Sequence, residues 1–217
     1  MGMAARPIGP GRLQIRAMTT LEPWTIGGCG YPSLLATGEV CNGDTLHDQQ
    51  HPHDLFMELA VEYSRPLVRG VRGQIYAALA GEPALGPAGF PHRMSAFANP
   101  IAPVTHHWLD ASHISQGVVT MGVANRRWKL EGSLFNGREP DDVRTNLGVG
   151  RFDSLSGRLS WAPTDHLVAQ VSTAHLREAE AASARSARPT CTAALHPLRT
   201  IISSGPLASG LARSPTA

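Results

Sequence analysis

Apolar and polar residues alternate one by one along several stretches of this chain. That two-residue period fits a pleated strand whose faces meet different surroundings. The clearest stretch is 127–135, where Trp128, Leu130, Gly132 and Leu134 alternate with Arg127, Lys129, Glu131 and Ser133. A helix would scatter the two sets around its circumference. Leu155, Gly157, Leu159 and Trp161 likewise share a face opposite Ser156, Arg158 and Ser160. In 57–65, Met57, Leu59, Val61 and Tyr63 stand against Glu58, Ala60, Glu62 and Ser64, although Met, Glu, Leu and Ala also form helices well and Asp54 could cap one. Strands fit at 11–20, 57–65, 71–80, 114–124, 127–135, 155–161 and 167–175.

The links between these strands run long, short, long, short, long, short. In outer-membrane barrels the short turns face the periplasm and the long loops face outside. The order therefore predicts an all-β fold, an antiparallel up-and-down β-barrel. Asn125-Arg126 has hairpin length, and Ala162-Pro163-Thr164-Asp165 carries good turn chemistry. Tyr63, Trp128 and Trp161 sit on the apolar faces near short turns, where an interfacial girdle belongs. The competing reading of these aromatics is the core of a soluble sandwich. No run approaches the ~18 apolar residues of a membrane helix, so any membrane span must be built of strands. The mean hydropathy of −0.13 does not conflict with that.

Charge argues against nucleic acid. The net +2 arises from 181–217, which holds four arginines and no acidic residue, so the rest of the chain carries 15 basic against 17 acidic residues. No basic stripe with interleaved aromatics occurs. The sequence thus divides into a barrel portion, 1–180, and an anomalous tail, 181–217, read as disordered or out of frame. Residues 1–12 lack the features of a secretory signal. Seven strands are also fewer than the eight of the smallest closed barrel, so the expectation is an incomplete fragment of an outer-membrane parent, with the lipid bilayer and small ions or solutes as partners.

The stretches Arg12-Leu13-Gln14-Ile15-Arg16-Ala17-Met18, Gln50-His51-Pro52-His53-Asp54-Leu55-Phe56-Met57-Glu58-Leu59-Ala60, Gly81-Glu82-Pro83-Ala84-Leu85-Gly86-Pro87 and His106-His107-Trp108-Leu109-Asp110 resemble a family of uncharacterised Gram-negative outer-membrane β-barrel proteins. Such proteins are often associated with copper or heavy-metal resistance loci. The resemblance covers about residues 1–180 and implies a metal-related role in the outer membrane.

The residues point the same way independently. Seven of the ten histidines, His47, His51, His53, His92, His106, His107 and His113, lie in the two longest links, 21–56 and 81–113, and would gather on one rim. Imidazoles are common ligands of Zn²⁺ and Cu²⁺, and nearby carboxylates orient or supplement them. His51, His53, His106, His107 and His113 with Asp54 and Asp110 are therefore candidate ligands for a divalent metal, copper or zinc. Three other readings compete: histidines that only hydrogen-bond loop backbone, a soluble metal-dependent enzyme using the same clusters, and a truncated product without function. No Gly-x-Ser-x-Gly elbow supports a hydrolase, and Ser112 beside His113 is a weak nucleophile candidate. Cys29 and Cys41 share one link and could either bridge or remain thiols. If Trp128 and Trp161 face lipid, Arg127, Lys129, Glu131 and Arg158 line a lumen of mixed charge, into which 81–113 could fold back.

Overall fold

The computed structural model describes residues 2–42, 44–86, 114–138, 140–141, 143–165 and 167–177, with the backbone of 190–192. All seven expected strands form, their ends differing by three residues at most. They are β2 (Gly11–Thr19), β5 (Phe56–Val68), β6 (Val71–Gly81), β7 (Ser115–Ala124), β8 (Trp128–Phe135), β9 (Ser154–Trp161) and β10 (Ala169–Leu176). Segment 57–65 is strand, its helix-forming composition overridden by pairing on both sides. Four further strands join them: β1 (Gly2–Ile8), β3 (Tyr31–Cys41), β4 (Asp44–Gln50) and β11 (Thr190–Thr192). Among the described residues the main sheet therefore has nine strands rather than seven, in the order β1-β2-β5-β6-β7-β8-β9-β10-β11, all antiparallel; β3 and β4 form a separate hairpin. β1 carries Pro7 and shows no alternation, which an edge strand tolerates.

Because each strand reverses its neighbour, the links after β1, β5, β7 and β9 leave from one end of the sheet. Those after β2, β6 and β8 leave from the other. At the short-turn end, Gly70 adopts φ +77° between β5 and β6, a conformation suited to glycine in a tight turn. The β7–β8 turn lacks glycine and is closed by a side chain instead. Asn125 Oδ1 accepts the backbone N–H groups of Arg127 and Trp128, both at 2.8 Å. Arg127 then reaches across to donate to the carbonyls of Ala162 and Pro163, tying two neighbouring turns together.

The alternation becomes two chemically distinct faces. Cross-strand register lines up Ile15, Val61, Ala77, Val119, Leu134 and Leu155 on one face and Gln14, Glu62, Tyr76, Thr120, Ser133 and Ser156 on the other. The apolar face is the exposed one: Leu130 is 55% exposed, whereas its neighbour Glu131 is 5% exposed. Trp128 and Trp161 stack on the apolar face with ring centroids 5.4 Å apart. On the opposite face Ala60, Ala78, Val118 and Phe135 form a small apolar cluster toward the long-link end, and charged side chains occupy the remainder.

A strap running from Glu82 to Gly86 after β6 explains how a single sheet buries that face. The Ala84 amide donates to Ser133 Oγ at 2.7 Å and the Gly86 amide to Ser172 Oγ at 2.9 Å, while Arg158 and Gln170 donate to the Gly86 carbonyl. Ser172 lies on β10, four strands from β6. In a flat sheet, four interstrand steps and the offset along the strands would separate Gly81 from Ser172 by about 30 Å, but five extended residues reach only about 17 Å. The sheet must therefore curl around the strap, with the polar face concave and the apolar face convex.

Candidate functional site

Two features are candidates, one at each end of the concave face. At the long-link end, α1 (Glu22–Thr25) and the hairpin β3–β4 lie within the link between β2 and β5. Cys29 and Cys41 form a disulfide, deciding between the bridge and the free thiols. Gly30, at φ +108°, lets the link press against the backbone of Gln50 and His51, because a Cβ there would fall 1.8 Å from the Gln50 carbonyl oxygen. The chain is thus pinned beside His51-Pro52-His53-Asp54, all four of which are buried.

Each of these polar groups has a defined partner. His51 Nδ1 lies 2.9 Å from the carbonyl oxygen of Pro52. Glu22 Oε2 accepts the His53 backbone N–H at 2.8 Å and lies 2.9 Å from His53 Nδ1. Asp54 bridges two other elements, taking Arg144 through Oδ1 at 3.2 Å and Gln116 Nε2 through Oδ2 at 3.0 Å. The Leu55 amide donates to the Arg144 carbonyl at 2.7 Å, so the link 20–55 is docked onto the link 136–153. Glu22, Gln116 and Arg144 are site residues that the sequence reading missed. No local motif marks them, because the contacts come from links far apart in the chain.

The two carboxylates are tuned in opposite directions. Burial would raise the Glu22 carboxyl, but the His53 hydrogen bonds and charge outweigh it and hold Glu22 below its ordinary 4.5. Burial dominates at Asp54 and raises it above its ordinary 3.8, despite Arg144 and Gln116. A lowered carboxyl adds stability above its unfolded value that is lost as pH falls through the folded one; a raised carboxyl does the reverse. Glu22→Gln should therefore remove an acid-side loss of stability below about pH 4.5 and leave the Asp54 contribution, which favours mild acidification. Unfolding measured from pH 3 to 6 in chelator-treated buffer checks this. Identical profiles for wild type and variant would rule it out.

His106, His107, Asp110 and His113 lie outside the described residues, as do His92 and Ser112, while His47 is exposed on β4. Among the described residues, no group of three or more His, Cys, Asp or Glu side chains is arranged to hold a metal ion. Both oxygens of Asp54 are engaged with Arg144 and Gln116, so it fixes the links rather than presenting a donor. His51 and His53 do show the outer-sphere pattern of ligating histidines, with Nδ1 facing a carbonyl in one and a carboxylate in the other.

The second feature is the concave face toward the short turns. Glu131 is its hub, binding Lys129 at 2.8 Å, Arg158 at 3.0 Å and Gln74 at 3.1 Å. A second network joins Arg16 to Glu62 at 2.9 Å and Glu58 at 3.5 Å, and Tyr76 donates to Glu58 at 3.1 Å. Lys129, Glu131 and Arg158 thus occupy the inner face assigned to them by alternation, while Arg127 sits at its rim in the turn. Beside these networks opens a cavity of about 340 Å³.

Comparison with protein families, curated proteins and solved structures finds no match to this chain.

Proposed function

We propose that the curled sheet is wall of an outer-membrane β-barrel and that its concave face lines a strapped, polar lumen for small ions or solutes. The observation that carries this reading is the separation of faces, with exposed leucine, valine, methionine and tryptophan outside and buried or half-buried ion-paired networks inside. A soluble sandwich would bury its apolar face against a second sheet; here the polar face is the covered one. The stacked tryptophans near the short turns suit a membrane interface, and the Cys29–Cys41 bridge on the opposite side suits an oxidising compartment. Refolding into lipid vesicles tests the proposal. The chain should become protease-protected and migrate differently on gels before and after boiling, and a chain that stays accessible with unchanged migration would refute it.

A second reading, a divalent-metal site at the long-link end, is favoured by the Nδ1 contacts of His51 and His53. In the neutral rings those contacts place the proton on Nδ1, the tautomer in which histidine ligates copper or zinc through Nε2. His106, His107 and His113 would complete the donor set, with Asp110 beside them. Calorimetric titration with Cu²⁺ and Zn²⁺ should show saturable binding that His51→Ala/His53→Ala and His106→Ala/His107→Ala each abolish. Binding retained in both double variants would return these histidines to loop structure.

A further inference from the structure

We infer that the cavity at the short-turn mouth of the concave face binds a small soluble oligoanion, a solute carrying at least two phosphate or carboxylate groups. The inference rests on the lumen reading for its access from one side of the membrane, and on the distribution of charge for its chemistry. Among the described residues, seven cationic and four carboxylate side chains line the cavity, a net of +3. The carboxylates are concentrated in the networks already described: Glu58 and Glu62 flank Arg16, and Glu131 takes both Lys129 and Arg158. Among the described residues this leaves Arg12, Arg72, Arg126 and Arg127 without a carboxylate partner.

Those four arginines share one end of the fold. Arg12 is the second residue of β2, Arg72 the second of β6, and Arg126 and Arg127 form the β7–β8 turn. Curling of the sheet arranges them around one mouth, and Glu82 and Ala84 of the strap line the same cavity. Two are held in place by neutral acceptors: Arg72 donates to Ser64 Oγ at 3.3 Å and Arg127 to the Ala162 carbonyl at 3.1 Å. Guanidinium forks match phosphate and carboxylate oxygens in pairs. A concave, low-dielectric wall also concentrates their field on whatever enters. At about 340 Å³ the cavity lies at the small end of ligand pockets, which limits the occupant to a compact solute. The same rim supplies an internal control, because Arg65 and Arg69 stand at this end without lining the cavity.

The test is calorimetry of the full chain refolded in non-ionic detergent, with inorganic pyrophosphate as the probe at low salt. Wild type should bind saturably, and binding should weaken as salt rises. Arg12→Gln/Arg72→Gln should weaken it at least about tenfold, as expected for two lost charge-assisted contacts, whereas Arg65→Gln/Arg69→Gln should change it less than about twofold. If the first double variant fails to fold, Arg126→Gln in the exposed turn should still weaken binding several-fold. Absence of saturable binding, equal losses in both double variants, or binding only to vesicles containing phosphatidylglycerol would overturn the site. Insertion into vesicles separates the two claims. A chain that inserts without binding pyrophosphate overturns the anion site alone, and one that binds in micelles but never inserts upholds the site and removes the membrane wall.

Discussion

Leu130→Arg should lower the yield of insertion into vesicles, whereas Glu131→Gln, one residue along the same strand, should insert at close to the wild-type yield. Leu130 projects from the convex face between Trp128 and Leu134, all three exposed. An arginine on the lipid side costs roughly 2–4 kcal/mol at the bilayer midplane and less toward the interface, so at Leu130, two residues in from Trp128, the cost lies between these limits. The inner residue meets protein whatever surrounds the convex face, so its replacement leaves the lipid contact unchanged. Protease protection and heat-modifiable migration read the difference. Equal yields from the two variants would show that the apolar face does not meet lipid.

Glu131→Gln should reveal itself afterwards, in unfolding of the inserted or micelle-bound chain. Glutamine keeps one acceptor oxygen but turns the other into a donor, so Arg158, only 14% exposed, loses its carboxylate in a confined site. Removing one partner of a buried pair costs about 3–5 kcal/mol. Lys129→Gln should cost within about 1 kcal/mol, because the Lys129 ammonium is more than a third exposed and largely screened. Denaturant titration of the three chains gives the ordering directly. Equal midpoints for wild type and Glu131→Gln would remove Glu131 as the hub of the concave face. Because Arg158 also holds the Gly86 carbonyl, loss of Glu131 should in addition speed amide exchange in the strap.

The strands were legible because a half-buried strand writes its geometry into every second residue. Arg127 to Leu134 alternates without a break, and Lys129 and Glu131 could be assigned to the inner face before any pairing was known. β1 escaped because Gly2 to Ile8 shows no apolar–polar alternation, with Arg6 and Pro7 side by side near its end. The hairpin β3–β4 was hidden inside a link, its pairing interrupted by register shifts between Pro32 and Thr37 and between Thr37 and Val40. At the histidine-bearing end the sequence singled out His51, His53 and Asp54 as candidates but gave no sign of their partners. Glu22 lies 31 residues from His53, and Arg144 lies 90 residues from Asp54. Contacts of that kind depend on where links land, and links carry no period.

The strap also bears on the order of assembly. Gly86 bonds Ser172 across 86 residues of sequence, so its partner exists only after four further strands have been laid down. The hairpins β5–β6, β7–β8 and β9–β10 can each form from neighbouring residues, but docking the strap must wait for all of them. Closing so distant a contact carries a large loop entropy before it returns any stabilisation. The strap is therefore a latch that fastens last, and until it does the growing sheet is free to open and reclose.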